Sequence, residues 1–422
     1  MGYFDRYIKD EKYRIMKILY ICGLYSKDLL PCFKNNIKHG RMQDAANTYQ
    51  YAVLEGLVEN SADFHVLSFP FLPCYPHNFG LMKVPGGEIL YNGKIVGESV
   101  SYSSLVLHKP YSIKKHVKKC VSVWINENIK RDEPFTVLTY SYEYTFIEPL
   151  LALRREYPQM QIASIVTDLA NDAMSFGSNH SLLKRIQMRH VRRRKQKCIK
   201  AIDKYILLTA DMVEHIPEAA SKNIVIEGIY SNSDDIISDN TLPKTLLYTG
   251  NFQEFAGVKM LVDAFMLTPD PSFRLVLCGS GPCSSYIDAC TKQDPRIENR
   301  GRIGRDEAVR LQKSVTLLVN PRQPNGGITK FSFPSKTMEY MSSGTPMIGY
   351  RLEGIPNEYF EHMIIPDDLT DDSLAQAIEH GLALDDDVLC NMGDKARNFI
   401  LMNKSAKAQV RRILDFICDK NW

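Results

Sequence analysis

Short apolar runs recur between longer amphipathic segments from Lys17 onwards, and this alternation confines the chain to a narrow set of folds. In the first half the runs are Lys17–Cys22, Phe64–Ser68, Thr136–Thr139, Ile162–Thr167, Tyr205–Leu208 and Asn223–Ile226. Between them lie Ala45–Glu59, Ser112–Lys130, Phe146–Tyr157 and Leu182–Ala201, read as amphipathic helices. Strand followed by helix, repeated, predicts βαβ units: an α/β fold whose parallel sheet carries helices on both faces. A polar stretch, Ser231–Asn240, then interrupts the pattern and reads as an interdomain linker. A second series follows, with strands over Thr245–Thr249, Arg274–Cys278, Thr316–Asn320 and Met347–Tyr350. Its first helix sets Val258, Leu261, Val262 and Phe265 on one apolar stripe.

A chain of 422 residues is too long for one ordinary core. The expectation is two doubly wound, Rossmann-like domains, residues 1–230 and 231–404, facing across a cleft. A last helix spans about Ser405–Lys420 and crosses back to the first domain. Ligands of such sheets bind beyond the carboxyl ends of the strands. A dinucleotide-dependent dehydrogenase is disfavoured, because no Gly-x-Gly-x-x-Gly follows the first strand.

Composition removes further classes. With 44% hydrophobic and 24% charged residues the chain is not disordered, and a net charge of +3 gives no sign of a nucleic-acid partner. Ten cysteines without a Cys-x-x-Cys pair suit a reduced, cytoplasmic compartment and offer no zinc site. No apolar stretch approaches the ~18–20 residues of a spanning helix, and Ile18–Cys22 is too short for a signal-peptide core. The expected location is therefore cytoplasmic, with the inner face of the cell membrane as the one place of attachment.

The most informative segment is Phe331–Gly349. Pro334 suits the first position of a helix, and Gly344 followed by Pro346 suits its end. Lys336 falls in the first turn, where the helix dipole favours anions. It either points to solvent or, with Ser335 and the exposed N–H groups, holds an anion such as a diphosphate. Glu339, three residues on, either pairs with Lys336 or accepts hydrogen bonds from ribose hydroxyls. Spacing alone leaves both readings open.

This segment resembles the donor-site helix of the family-four glycosyltransferases. Their usual pattern is Glu, seven residues, Glu, then Ala-x-Gly-x-Pro-Val; Glu339 and Ser343–Ile348 match its second half. Leu246–Asn251, Gly257–Phe265, Leu275–Pro282 and Asn299–Ile303 resemble further family pieces, in the family's order. The resemblance implies a GT-B fold. It also implies retaining transfer from a nucleotide-diphosphate sugar, a UDP- or GDP-sugar, without metal or other cofactor. Donor contacts would come from Gly250, Asn251, Gly279, Ile303, Gly327, Ser335, Lys336 and Glu339, with Arg322 and Lys336 meeting the charge of the leaving group. Gly23, just after the first strand, either approaches the diphosphate or is an ordinary loop residue, and Gly326–Gly327 either turns N–H groups to the sugar or is a plain loop. Asp168, at a strand end, either contacts acceptor or sugar hydroxyls or, like Asp172, serves as a helix N-cap.

Three positions depart from the family. Phe331 stands where the first Glu is usual, and Asn251 and Ala256 stand where an Arg and a Lys are usual. Either the chain is a noncatalytic nucleotide-sugar-binding subunit, or Arg322 and Lys336 replace the missing cations. An epimerase on the same fold is a further alternative, with Asp168 its one evident acid or base. Asn320–Pro324 with Lys330–Lys336 resembles a sub-branch of bacterial capsule and exopolysaccharide assembly. Acceptor choice would rest on loops such as Pro70–Gly93, and base choice on the surroundings of Ile303.

One run remains. Lys184–Lys200 holds nine Lys or Arg and no acid. On a basic amphipathic helix, Arg189, Arg192, Arg193, Arg194 and Lys195 would meet an anionic membrane surface, or simply form a solvated face. No aromatic platform is interleaved, so nucleic acid is not the expected partner. Membrane contact agrees with the resemblance, which implies a glycan or polyprenyl-linked sugar as acceptor.

Overall fold

The protein is described here in a computed structural model, over residues 16–40, 42–169, 182–231, 241–324, 327 and 329–419, with the side chains of 182–188 and 190 excepted. The chain divides into two compact units. Unit 1 is Met1–Ser231 with Ala406–Trp422, and unit 2 is Asn232–Ser405. Residues 232–240, with Asp234 and Asp235, and the positions Asp172 and Gly326 lie outside the described residues.

In unit 1 the strands are β1 (Lys17–Cys22), β2 (Asp63–Ser68), β3 (Lys83–Val84), β4 (Gly87–Tyr91), β5 (Lys94–Ser99), β6 (Tyr102–Ser103), β7 (Phe135–Tyr140), β8 (Met160–Val166), β9 (Lys204–Leu207) and β10 (Asn223–Val225). Its helices are α1 (Leu30–Asn36), α2 (Asp44–Glu59), α3 (Lys109–Asn128), α4 (Tyr144–Arg154) and α5 (Leu182–Lys200). The main sheet runs β10-β9-β8-β7-β1-β2-β5-β4. All its pairings are parallel except β4 against β5. A sheet covered on both faces needs strands that are apolar throughout, and all six residues of β7 are buried. Strand order reverses between β1 and β7, so the crevice of this sheet opens beside Gly23 and Ser141.

The hairpin β4–β5 has no counterpart among the strands expected from sequence, where this region reads as loop. Its signal is Asn92-Gly93: φ is 49° and 74°, the left-handed pair that a tight two-residue hairpin requires. The small antiparallel pair β3–β6 is likewise absent from the strands expected from sequence.

Unit 2 contains β11 (Leu242–Asn251), α6 (Val258–Leu267), β12 (Arg274–Ser280), α7 (Ser284–Gln293), β13 (Ile297–Gly301), α8 (Arg305–Gln312), β14 (Val315–Asn320), α9 (Ser335–Ser343), β15 (Met347–Gly349), α10 (Asp371–Leu382) and α11 (Asp386–Asn403). Its five-stranded parallel sheet runs β13-β12-β11-β14-β15, with the reversal between β11 and β14. Val258, Leu261, Val262 and Phe265 of α6 are buried in its core. Pro334 is not the first helical residue, as the sequence reading had it. It is the N-cap, with extended backbone at φ −76° and ψ 103°, and Ser335 begins α9. Gly344 closes α9 in the left-handed conformation, φ 83°.

The last helix, α12 (Ala406–Cys418), belongs to unit 1. Its buried positions Ala406, Gln409, Val410, Ile413, Leu414 and Ile417 follow helical spacing and join the core beneath α2. Two polar anchors fix its ends. The Ala406 N–H donates to the Tyr230 carbonyl at 2.8 Å, and the buried Lys204 amine donates to the carbonyls of Phe416 and Asp419 at 2.6 and 3.0 Å. Gly56 lets α2 and α12 approach: a Cβ there would lie 2.4 Å from the Ala406 carbonyl oxygen and from a Val410 methyl. Gly56→Val should therefore destabilise unit 1 by about 1–3 kcal/mol through overpacking. A urea titration followed by tryptophan fluorescence and far-UV circular dichroism measures it; an unchanged midpoint would show that this contact is not tight.

Candidate functional site

The carboxyl edge of the unit 2 sheet gathers most of the residues that the sequence singles out. Gly250 and Gly279 face each other in register at the ends of β11 and β12. A Cβ on Gly279 would lie 1.7 Å from the Gly250 carbonyl oxygen, so no larger residue fits there. A Cβ on Gly250 would meet the Tyr248 hydroxyl at 2.6 Å and Lys336 Cε at 2.9 Å. The aliphatic stem of Lys336 thus lies across the Gly250 backbone, and its Nζ sits 5.9 Å from the centre of the Tyr340 ring.

Lys336 is half-buried, and among the described residues its amine makes no hydrogen bond. Burial holds its pKa below the ordinary lysine value, with the Glu339 carboxylate acting in the opposite sense. Arg322, two residues beyond β14, is the second cation. Its Nη2 lies 3.4 Å from Ser332 Oγ, while its buried Nε has no partner. Burial lowers its pKa as well. Beside it, Gly257 caps α6 at φ 77°, and a Cβ there would lie 2.1 Å from the Pro321 carbonyl oxygen. Arg322 and Gly250 therefore flank the point where strand order reverses, the usual ligand position in an open α/β sheet.

Glu339 is held from a direction that the sequence does not reveal. Gln312, buried at the end of α8, donates from Nε2 to Glu339 Oε1 at 2.6 Å and to Thr249 Oγ1 at 3.2 Å. The Thr249 N–H donates to the Tyr340 hydroxyl at 2.9 Å, and that hydroxyl donates to the Thr249 carbonyl at 3.1 Å. The network ties α8, β11 and α9 together and leaves Glu339 exposed at its rim. An uncharged Gln between elements far apart in sequence carries no pattern, which is why sequence reasoning missed it.

The other candidates in this unit fall around that edge. Ser335 is exposed at the first turn of α9, and Asn251 is exposed at the end of β11. Ile303 is half-buried two residues beyond β13. Gly327 is exposed, with open space around it. Of the departures from the family pattern, Ala256 is buried in a short turn before α6 and Phe331 is half-buried, 5.9 Å from Lys330 Nζ to its ring centre.

Gly23 and Asp168 lie in unit 1. The Gly23 N–H is occupied within the fold: it donates to Gln50 Oε1 at 2.6 Å. A Cβ at Gly23 would strike the Phe71 ring at 2.5 Å. Close packing thus accounts for this glycine. Asp168 stands exposed two residues beyond β8, with its pKa raised by desolvation, next to a hydrogen bond of 2.9 Å between Thr167 and Tyr140. Of the α5 cations, Arg189, Arg192 and Arg193 are exposed and Lys195 is half-buried. Arg194 differs: its guanidinium grips both carboxylate oxygens of Glu148 and lies 5.1 Å from the Tyr144 ring centre. An intramolecular ion pair uses the charge that the sequence reading offered to a membrane. Among the described residues no helix is long and apolar enough to cross a membrane.

The Lys336 burial has a measurable sign. With its folded pKa lowered, the unfolded chain binds the proton more tightly, so stability rises with pH between the lowered value and the ordinary one of about 10.4. Lys336→Met should remove this dependence and raise the unfolding midpoint of the ligand-free protein near neutral pH, by on the order of 1 kcal/mol. Urea series at about pH 7 and about pH 9.5 test both; a less stable variant at the lower pH would mean that the amine is favourably paired.

Residues 243–383 match the family described as Glycosyl transferases group 1. No curated protein matches the chain. Among solved structures, HepE of Anabaena in complex with UDP is similar at 13% identity and a TM-score of 0.58, over 95% of this chain and 99% of that one. The apo lipopolysaccharide outer core galactosyltransferase WaaB is similar at 17% identity and a TM-score of 0.54, over 95% and 99%. Sucrose-phosphate synthase of Thermosynechococcus elongatus is similar at 16% identity and a TM-score of 0.54, over 94% and 97%. The chain therefore has the GT-B fold, and residues 243–383, within unit 2, are similar to the glycosyl transferases group 1 family.

Proposed function

We propose that this protein is a retaining glycosyltransferase that moves a sugar from a UDP- or GDP-sugar to a glycan or polyprenyl-linked glycan, in bacterial surface polysaccharide assembly. The observation that carries the reading is the pair of half-buried cations, Lys336 and Arg322, beside the Gly250–Gly279 cradle. The Lys336 amine and Arg322 Nε have no hydrogen-bond partner among the described residues. Two cations and a helix N-terminus at one sheet edge suit a diphosphate. The UDP and UDP-glucose complexes of HepE, a protein of the same fold, support a nucleotide diphosphate as the anion.

The chemistry follows from charge. As the glycosidic bond to the nucleotide breaks, negative charge grows on the departing diphosphate and positive charge on the sugar. Lys336, Arg322 and the N–H groups of the first α9 turn stabilise the former, and they can do so without a metal ion. Glu339, held through one oxygen by Gln312, offers the other to the ribose hydroxyls. Ser335, Gly327 and Asn251 are the remaining donor contacts, with Ile303 beside the base. Asp168, its carboxyl pushed up by desolvation, is the unit 1 group for acceptor hydroxyls. The absence of the usual Glu at Phe331 and of the usual cations at Asn251 and Ala256 favours a second reading, a binding subunit without transfer.

Thermal shift with UDP, GDP, ADP and their sugar conjugates tests the donor site. One nucleotide should stabilise the wild type by roughly 2.7 kcal/mol at a hundredfold excess over its dissociation constant, and Lys336→Ala should abolish the shift. Stabilisation by none of them would sink the donor assignment. Nucleotide affinity should also decline with rising pH from a lower pH than an exposed lysine would give, because only the protonated amine attracts the diphosphate. Lys336→Arg should move that decline to higher pH. Binding without sugar transfer or hydrolysis, with any glycan or lipid-linked acceptor and with or without chelator, would assign the binding-subunit reading.

A further inference from the structure

Unit 1 carries a surface that the donor chemistry does not use. At the start of α3 an apolar tip stands in solvent: Leu107 is 88% exposed, Val106 61%, Met82 59% and Tyr111 58%. The tip is not a loose loop. The N–H groups of His108 and Lys109 both donate to the Leu105 carbonyl, at 3.0 and 2.7 Å, and the Ser104 N–H donates to the Met82 carbonyl at 2.9 Å. The His108 and Tyr111 rings lie 5.5 Å apart. A turn fixed in this way holds apolar side chains outward, where water gains nothing from them.

Behind the tip runs a stripe of cations. Tyr111, Lys114, Lys115, Lys118 and Lys119 recur at helical spacing and line one shallow groove between α3 and α4. Ile113, Val117, Val121 and Trp124 of the same helix are buried on its other side. The carboxylate in the groove, Glu148, is already matched by Lys114 at 3.5 Å and by Arg194. Lys115, Lys118 and Lys119 are exposed and form no ion pair among the described residues.

We propose that this tip and lysine stripe form the face on which the protein docks to an anionic lipid bilayer. Val106 and Leu107 enter the boundary between headgroups and acyl chains. Lys115, Lys118 and Lys119 lie over the headgroups, their stems along the apolar surface and their amines on the phosphates. Charge complementarity selects an anionic surface, and the apolar tip distinguishes a bilayer from a soluble polyanion. The proposal thus places membrane contact on α3, where an apolar tip adjoins the lysines, rather than on α5, whose Arg194 is engaged although Arg189, Arg192 and Arg193 are exposed. Its position also has a use. α3 leads from the carboxyl edge of the sheet, where β5 ends beside β2, back to the start of β7. The tip therefore shares a sheet edge with Asp168, where a lipid-linked acceptor would present its sugar. The docking itself does not depend on the donor reading.

Co-sedimentation with phosphatidylcholine vesicles, with and without phosphatidylglycerol, tests the proposal. The wild type should bind the anionic vesicles, less at high salt, and not the neutral ones. Val106→Asp with Leu107→Asp, and separately Lys115→Glu with Lys118→Glu and Lys119→Glu, should each weaken binding about tenfold or more. Arg189→Glu with Arg192→Glu and Arg193→Glu should weaken it less. Leu107→Ser alone removes no buried packing and should still weaken binding, which keeps the test valid if a multiple variant folds poorly. Thermal shift with UDP and GDP, run on the same variants, reports the donor site independently. Wild-type protein that stays in the supernatant, tip variants that sediment like wild type, or loss confined to the α5 variant would each overturn the assignment.

Discussion

An ammonium group taken partly out of water without a hydrogen-bond partner raises the free energy of a fold, and Lys336 is held in that condition by everything around it. The glycine at 250 removes the side chain that would collide with its stem. Tyr340, buried and fixed to both backbone groups of Thr249, provides the surface under it. The reversal of strand order between β11 and β14 opens the edge at which it stands. A core evolved for stability alone would have placed a methionine or leucine there. The retained cation, with the orphan Nε of Arg322 at the same edge, is a local cost to stability that the proposed anionic ligand would offset.

The legibility of the fold in the sequence follows the physics of each element. β1, β7, β8, β11, β12 and β14 each bury at least four consecutive residues, so they are readable from composition over a short window. The hairpin β4–β5 at the sheet margin alternates polar and apolar residues weakly, with Gly87 and Gly97 inside it. Its one firm signal is the Asn92-Gly93 turn, a local backbone requirement rather than a hydrophobic pattern. β13 is harder still: two of its five residues are exposed and one is a glycine at φ 65°. A glycine of that kind looks the same in sequence whether it ends a strand or shapes a loop.

The candidate site was legible to the extent that it is local. Ser335, Lys336 and Glu339 share a single helix, and Gly250 and Gly279 each end a strand, so short motifs carry them. Gln312 illustrates the limit. It orients Glu339 from a different helix, 27 positions away, and only the packing of α8 against β11 and α9 brings its amide into reach. Gly23 shows the converse ambiguity. A glycine after the first strand reads as a phosphate loop, yet its N–H goes to Gln50 and its missing side chain makes room for Phe71. Motif logic assigns glycine to ligands, but a closely packed aromatic ring needs the same absence of a Cβ.

Charge placed on a helix does not specify what it meets, and the two basic helices of unit 1 separate the cases. α5 has the denser run in sequence, yet its Arg194 is consumed by Glu148 and Tyr144, a bidentate and stacked geometry that only an arginine supplies. α3 has fewer cations, all lysines, and three of them stay clear of any carboxylate among the described residues. A lysine amine is a hydrated point charge on a flexible stem, suited to a diffuse field rather than to one fixed partner. The exposed leucine and valine that precede α3 gain nothing from a purely electrostatic role. Together they leave α3 with an outer face whose lysines and preceding apolar tip are not used by the fold, while its other face is buried.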